Sequence, residues 1–182
     1  MKIIGMIGSL RQGSYSRSVF NKYQQLAVGK AEIVEAEIRY IPMFNEDLMN
    51  SDFPQSVLEL GAQISDADGL IFFSPEYNYS VPAVLKNAID WLSKSPNQPL
   101  AGKSASIISV SPGLFGGARM QYHMRQIGIY MDMRFLNRPE VMIGEVQKKI
   151  GLDGILADQL TNGLLENHLV HFSRFIEQQK RP

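Results

Sequence analysis

The sequence predicts an α/β fold built on a five-stranded parallel sheet, and three observations point to it. Apolar β-type runs alternate with helical patterns along the chain, as successive βαβ units require. Three of those runs are apolar on both faces, as strands covered by helices on each side must be. The 182 residues fit one domain, 1–182, with enough interior to fold without disulfide or metal staples.

The first strand is predicted over 2–8, KIIGMIG, followed by a helix over 16–28. The second strand, 33–38, sets Val34, Ala36 and Ile38 against Glu35 and Glu37 on the opposite face. That alternation belongs to an edge. After a helix over 54–67 come the third strand, 69–74 (GLIFFS), and a helix over 82–93. Here Val84, Leu85, Ala88, Ile89 and Leu92 form one stripe, and Lys86 and Asp90 form an exposed i,i+4 pair. The fourth strand is 104–110, SASIISV, then a helix over 117–131 and a fifth strand over 133–136, where Arg134 between Met133 and Phe135 again reads as an edge. The last helix, 156–179, carries Leu160, Leu164, Leu165, Leu169, Phe172 and Ile176 at helical spacing, before a polar tail, QQKRP. Interior strands one, three and four with edge strands two and five give the order 2-1-3-4-5, the doubly wound flavodoxin-like arrangement with helices on both faces.

Composition narrows the chemistry. With Cys at 0, thiol nucleophiles, Cys–zinc sites and Cys-ligated clusters are excluded. Lys+Arg 18 balances Asp+Glu 18, so nothing draws nucleic acid or an anionic membrane surface. The apolar run at the N-terminus is shorter than a secretory signal, and no span approaches the roughly 20 apolar residues of a membrane helix. A cytoplasmic protein with small-molecule partners is the expectation. His168 and His171 have no third ligand in reach, so they read as a solvated helix face and no metal site is expected. No G-x-S-x-G elbow supports a serine hydrolase.

Ligands of open α/β sheets bind beyond the carboxyl ends of the strands, where the strand order reverses. Three loops converge there. After strand one, GSLRQGSYSR puts backbone N–H groups, the hydroxyls of Ser9, Ser14 and Ser16, and the Arg11 guanidinium at a helix N-terminus. Such a place favours a phosphate. Gly8 and Gly13 have Walker A spacing, but Ser14 and Tyr15 stand where Lys and Ser/Thr would reach a triphosphate. G-x-G-x-x-G is missing too, which leaves a terminal monophosphate; an ordinary polar turn capped by Ser16 is the alternative. After strand three, SPEYNYSVP holds Glu76, Tyr77, Asn78 and Tyr79 between Pro75 and Pro82. After strand four, SPGLFGGAR offers Gly113, Gly116 and Gly117 for close backbone approach. A flat ring with a polar edge fits between the last two loops.

In this order, GSLRQGSYSR, PEYNYSVPAVLKNAIDWLS and GLFGGARMQYHMRQ resemble the NAD(P)H-dependent FMN reductase family, with most similarity to its bacterial quinone and chromate reductases. The similarity runs from Met1 to about Met142. It implies that Ser9, Arg11 and Ser16, in a loop that includes Gln12 and the backbone of Gly13, Ser14 and Tyr15, hold the phosphate of FMN. Pro75, Glu76, Tyr77 and Asn78 would line the isoalloxazine ring, with Ser111, Gly113 and Gly117 closing its other side. Hydride would pass from NADPH or NADH through FMN to quinones in a ping-pong order, with chromate and azo compounds as incidental acceptors and no catalytic acid, base or nucleophile. Two alternatives stay open: a flavodoxin-type one-electron carrier, and a reductase that hands free reduced FMN to a monooxygenase. The resemblance also implies a homodimer or homotetramer through the helix bearing Arg119, Tyr122 and Arg125. Met120, Met124, Ile127 and Met131 form one stripe there, while Tyr122, Ile129 and Tyr130 lie elsewhere, as in a helix buried against a second subunit.

Overall fold

The structure, a computed structural model, describes residues 1–180. Strands β1 (Lys2–Ile7), β2 (Glu32–Ala36), β3 (Gly69–Pro75), β4 (Ser104–Val110) and β5 (Arg134–Phe135) lie in the order β2-β1-β3-β4-β5, all parallel. This is the flavodoxin-like order read from the apolar patterns. Every residue of β4 is buried, as is β3 apart from its last residue, which is the physical counterpart of their two-faced apolar character.

The outer edge departs from the expected single fifth strand. β5 pairs only with Ser104 and Ala105, and a further strand, β6 (Val141–Ile143), pairs with Ile108 to Val110 farther along the same edge of β4. Pro139 lies between the two and brings no N–H to a ladder. β6 has three residues, too few for a strand period to show in sequence.

Helices α1 (Tyr15–Ala27) and α6 (Gln159–Gln179) cover one face; α3 (Gln55–Asp66), α4 (Ala83–Leu92) and α5 (Ala118–Tyr130) cover the other. Ile3, Phe20, Phe73 and Phe172 belong to the first core; Ile4, Phe72, Leu85 and Met124 belong to the second. Lys86 and Asp90 form the expected surface pair at 2.8 Å. A short helix not foreseen, α2 (Glu46–Ser51), is capped by Asn45, which accepts the N–H of Asp47 at 2.9 Å. Phe44 and Phe53 on either side of it meet the edge of buried Trp91, whose indole donates to the Pro42 carbonyl at 2.8 Å.

Two readings of the last helix are corrected. It begins at Gln159, where Asp158 caps the N–H of Thr161 at 2.8 Å; Leu160 is exposed, and Leu156 lies before the helix, itself buried and paired with Ile150 across an exposed turn. His168 is not on a solvated face but fully buried. Tyr23 Oη lies 2.9 Å from its Nδ1 and Ser106 Oγ 2.7 Å from its Nε2, so one ring joins α1, α6 and β4. The end of the polar tail, 181–182, lies outside the described residues. No helix among those described is long and apolar enough to cross a membrane.

Candidate functional site

The carboxyl ends of β1, β3 and β4 open into a cavity of about 180 Å³ lined by Ser9, Arg11, Ser14, Tyr15, Ser16, Pro75, Glu76, Tyr77, Val110 and Pro112. Its position follows from the topology, since β1 and β3 are neighbours whose following helices, α1 and α4, leave on opposite faces of the sheet.

The first loop gathers hydrogen-bond donors at the N-terminus of α1, beside the cavity. Ser14, and not Ser16, is the N-cap of α1; its Oγ accepts the N–H of Arg17 at 3.1 Å, which leaves its own hydroxyl proton free to donate. The N–H of Ser14 goes to the Arg11 carbonyl at 3.1 Å, so it is withdrawn from any ligand. The N–H groups of Tyr15 and Ser16 open the helix and have no helical carbonyl behind them. Ser16 is 1 % exposed, yet its Oγ has no hydrogen-bond partner among the described residues. A buried hydroxyl without a partner is costly, and this one sits in the wall of the cavity. A phosphate oxygen would complete it. Arg11 is exposed, 5.3 Å from the centre of the Tyr15 ring, whereas Arg17 faces away and grips Glu35 through both terminal nitrogens at 2.8 and 2.6 Å. Gln12 and Gly13 are exposed and line no part of the cavity.

In the second loop, Tyr77 and Ser80 exchange backbone hydrogen bonds of 3.1 and 2.9 Å around Asn78 and Tyr79, which have φ of 50° and 65°. Two successive left-handed residues make a tight reversal, and Asn78 is not among the residues that line the cavity. The Tyr77 hydroxyl lies 3.4 Å from Ser9 Oγ, across the cleft to the first loop. Glu76 lines the cavity, but its carboxylate points at the third loop. It accepts the Nε–H of Arg119 at 2.9 Å and the N–H of Met120 at 3.1 Å. Because the N-cap of α5 is Gly117, which has no side chain to cap with, a carboxylate from another loop supplies the cap and faces the positive end of the helix.

The third loop meets the cavity through Val110 and Pro112, two residues the sequence pattern did not single out. Ser111, Gly113 and Gly117 lie outside the lining. The Ser111 hydroxyl takes the N–H of Gly113 at 3.0 Å within the loop. Gly116 and Gly117 pack closely against the protein's own chain. Both have positive φ, and a Cβ on Gly116 would stand 2.5 Å from the carbonyl carbon of Met142. Of the three residues implied in self-association, Arg119 is held by Glu76, and Arg125 donates to Asn137 Oδ1 and the Leu136 carbonyl at 3.2 and 3.3 Å. Tyr122 stands 60 % exposed.

A sequence profile described as NADPH-dependent FMN reductase matches residues 1–148. An NAD(P)H-dependent FMN reductase of Pseudomonas aeruginosa is 44 % identical over 169 residues, 93 % of this chain and 91 % of that protein. A quinone reductase of Escherichia coli is 42 % identical over 183 residues, 99 % of this chain and 97 % of that one. Among solved structures, a flavoenzyme NAD(P)H:(acceptor) oxidoreductase from Paracoccus denitrificans superposes with a TM-score of 0.87 at 31 % identity, covering 98 % of each chain. With a profile over most of its length and relatives of this identity, the chain belongs to the NADPH-dependent FMN reductase family.

Proposed function

We propose that the protein is an FMN-dependent NAD(P)H:quinone oxidoreductase in which nicotinamide and quinone use one open face of the cleft in turn, a ping-pong order. The observation that carries the reading is the buried, unpartnered Ser16 Oγ, set in the cavity wall beside Arg11 and the free N–H groups of α1. Its chemistry fits the terminal phosphate of FMN. When bound, FMN supplies the hydride-transferring centre. The chain supplies the rest: Ser9, Arg11, Ser14 and Ser16 fix the phosphate, while Pro75, Glu76 and Tyr77 on one side and Val110 and Pro112 on the other form the walls around the ring. The Glu76 carboxylate is engaged with Arg119 and Met120, so it serves as a brace and not as an acid or base.

The names of the relatives support quinones as acceptors. Chromate and azo compounds enter as incidental acceptors, because an open site walled by Tyr77, Val110 and Pro112 discriminates weakly between small oxidants. We place the protein in the cytoplasm. We also assign self-association, as a dimer or tetramer, to the outer face of α5, where Tyr122, Ile129 and Tyr130 stand exposed. The reading is tested by stopped-flow and steady-state kinetics with NADPH and benzoquinone. Parallel double-reciprocal lines are expected; intersecting lines would overturn the ping-pong order.

A further inference from the structure

The donors at the start of α1 serve a ligand only while the helix keeps one height and one rotation, because a slide of about 1 Å takes a hydrogen bond out of its range. Val19, Phe20 and Ala27 bury the apolar face of α1 against the sheet, but apolar contact has no direction and does not fix that setting. Directional bonds do. Arg17 and Gln24 lie seven residues apart, so they share one side of the helix. Both reach β2: Arg17 holds Glu35 at 2.8 and 2.6 Å, and Gln24 Nε2 donates to the Ile33 carbonyl at 2.9 Å. These ties are only part-buried, and water competes for them.

Tyr23 supplies a tie of another kind, about 100° round the helix from Gln24. It is fully buried, with its ring edge-on to Phe73 at 5.5 Å between centres. Its hydroxyl meets Nδ1 of His168 at 2.9 Å, and Nε2 of the same ring meets Ser106 Oγ at 2.7 Å. A neutral imidazole donates from one nitrogen and accepts at the other, so either tautomer serves both neighbours. The chain of bonds runs from α1 through α6 to β4, and all three residues are buried. Away from water such bonds hold their geometry more firmly than those at the β2 edge. We propose that Tyr23 and His168 are positioning residues of the phosphate site: with Arg17 and Gln24 they form a three-point mount that holds α1 and so aims the hydroxyls of Ser14 and Ser16 and the N–H groups of Tyr15 and Ser16. Tyr23 stands about 10 Å along the helix from Ser16, so it acts through α1 and not by touching the ligand. The inference rests on the FMN reading above, and it gives a task to a buried polar chain that the cleft itself does not use.

The test uses Tyr23→Phe and Ser106→Ala, each of which removes one hydroxyl from the chain. Flavin-free protein prepared from the holoenzyme is titrated with FMN and with riboflavin, followed by fluorescence quenching, because only FMN carries the phosphate. FMN affinity is expected to fall about 5-fold or more while riboflavin affinity holds, so the preference for FMN shrinks. In a Ser16→Ala background the loss from Tyr23→Phe is expected to be smaller, since one of the groups being aimed is gone. An unchanged ratio of FMN to riboflavin affinity in both variants would overturn the proposal. So would an equal loss for the two flavins, which would leave the chain a stabiliser of the core alone. If Tyr23→Phe does not fold, Ser106→Ala, which leaves α1 intact, decides the matter by the same ratio. A wild-type protein that binds both flavins equally would be a failure of the phosphate reading instead, visible before any variant is made.

Discussion

Glu76 and Arg119 join the second and third loops of the cleft: a carboxylate that is nearly buried takes the guanidinium Nε–H at 2.9 Å and caps the neighbouring helix through Met120. Removing it leaves the Met120 N–H and the guanidinium without their acceptor. Glu76→Ala is expected to destabilise the fold by about 1–3 kcal/mol and to weaken FMN, because the two walls of the cavity lose their tie. Glu76→Gln keeps an acceptor for the Met120 N–H and is expected to lose less. Thermal melts with and without added FMN measure both effects.

The phosphate cradle predicts a steep dependence on a single group of the ligand. Hydrogen bonds to a charged group contribute roughly 1.5–3 kcal/mol each, so three or four account for most of the ~8 kcal/mol of micromolar binding. Arg11→Ala is expected to weaken FMN by one or two orders of magnitude, and Ser16→Ala by about tenfold. Riboflavin is expected to bind far more weakly than FMN in a fluorescence-quenching titration. Equal affinity for the two would remove the phosphate from the account.

At Gly116 the backbone has φ of 59°, and the space for a side chain is filled by the backbone of Met142 and Ile143. Gly116→Ala therefore combines a strained φ with a clash against main chain, which cannot move as a side-chain tip can. A loss of at least about 2 kcal/mol is expected from denaturant unfolding. Gly29, also at positive φ but with nothing near its absent Cβ, is the control: Gly29→Ala is expected to cost less.

His168 predicts a pH dependence away from the cleft. Burial holds its pKa down to about 3, with a smaller contribution from His171. The folded state keeps this ring neutral while the unfolded chain binds a proton below about 6.5, so stability is full above that pH and declines as pH falls from about 6.5 towards 3. Between pH 7 and pH 5 the loss is expected to be about 2 kcal/mol. The carboxylates Asp66, Asp68 and Asp158, whose pKa values are lowered by hydrogen bonds from Lys2, Lys180 and Thr161, lose their contributions only at lower pH. His168→Gln is expected to flatten the slope between pH 7 and pH 5 in equilibrium unfolding.

Sheet order and the location of the cleft are legible in the sequence because each depends on a strong local signal, two-faced apolar strands and polar loops after them. Ser9, Arg11 and Ser16 could be named as residues of one cavity because they fall in a polar loop between an apolar strand and a helix start. β6 was not legible: three residues show no period, and their partner strand is remote. The buried place of His168 was hidden for a related reason. Tyr23 and Ser106 reach it from other elements, and nothing near it in sequence announces them. The cap on α5 left only a negative trace, a helix beginning at glycine that needs an acceptor from elsewhere. The close packing of Gly116 and Gly117 against their own chain leaves no local trace in sequence, because Met142 and Ser109, which face them, come from other elements.

The central claim is that bound FMN links NAD(P)H to a quinone in this cleft. An anaerobic titration of the FMN-loaded protein with NADPH and then NADH, followed by flavin absorption and completed with benzoquinone, tests it most directly. The account predicts full bleaching by one equivalent of the preferred nicotinamide and full recovery on adding quinone. A yellow protein whose absorption neither nicotinamide changes would contradict it.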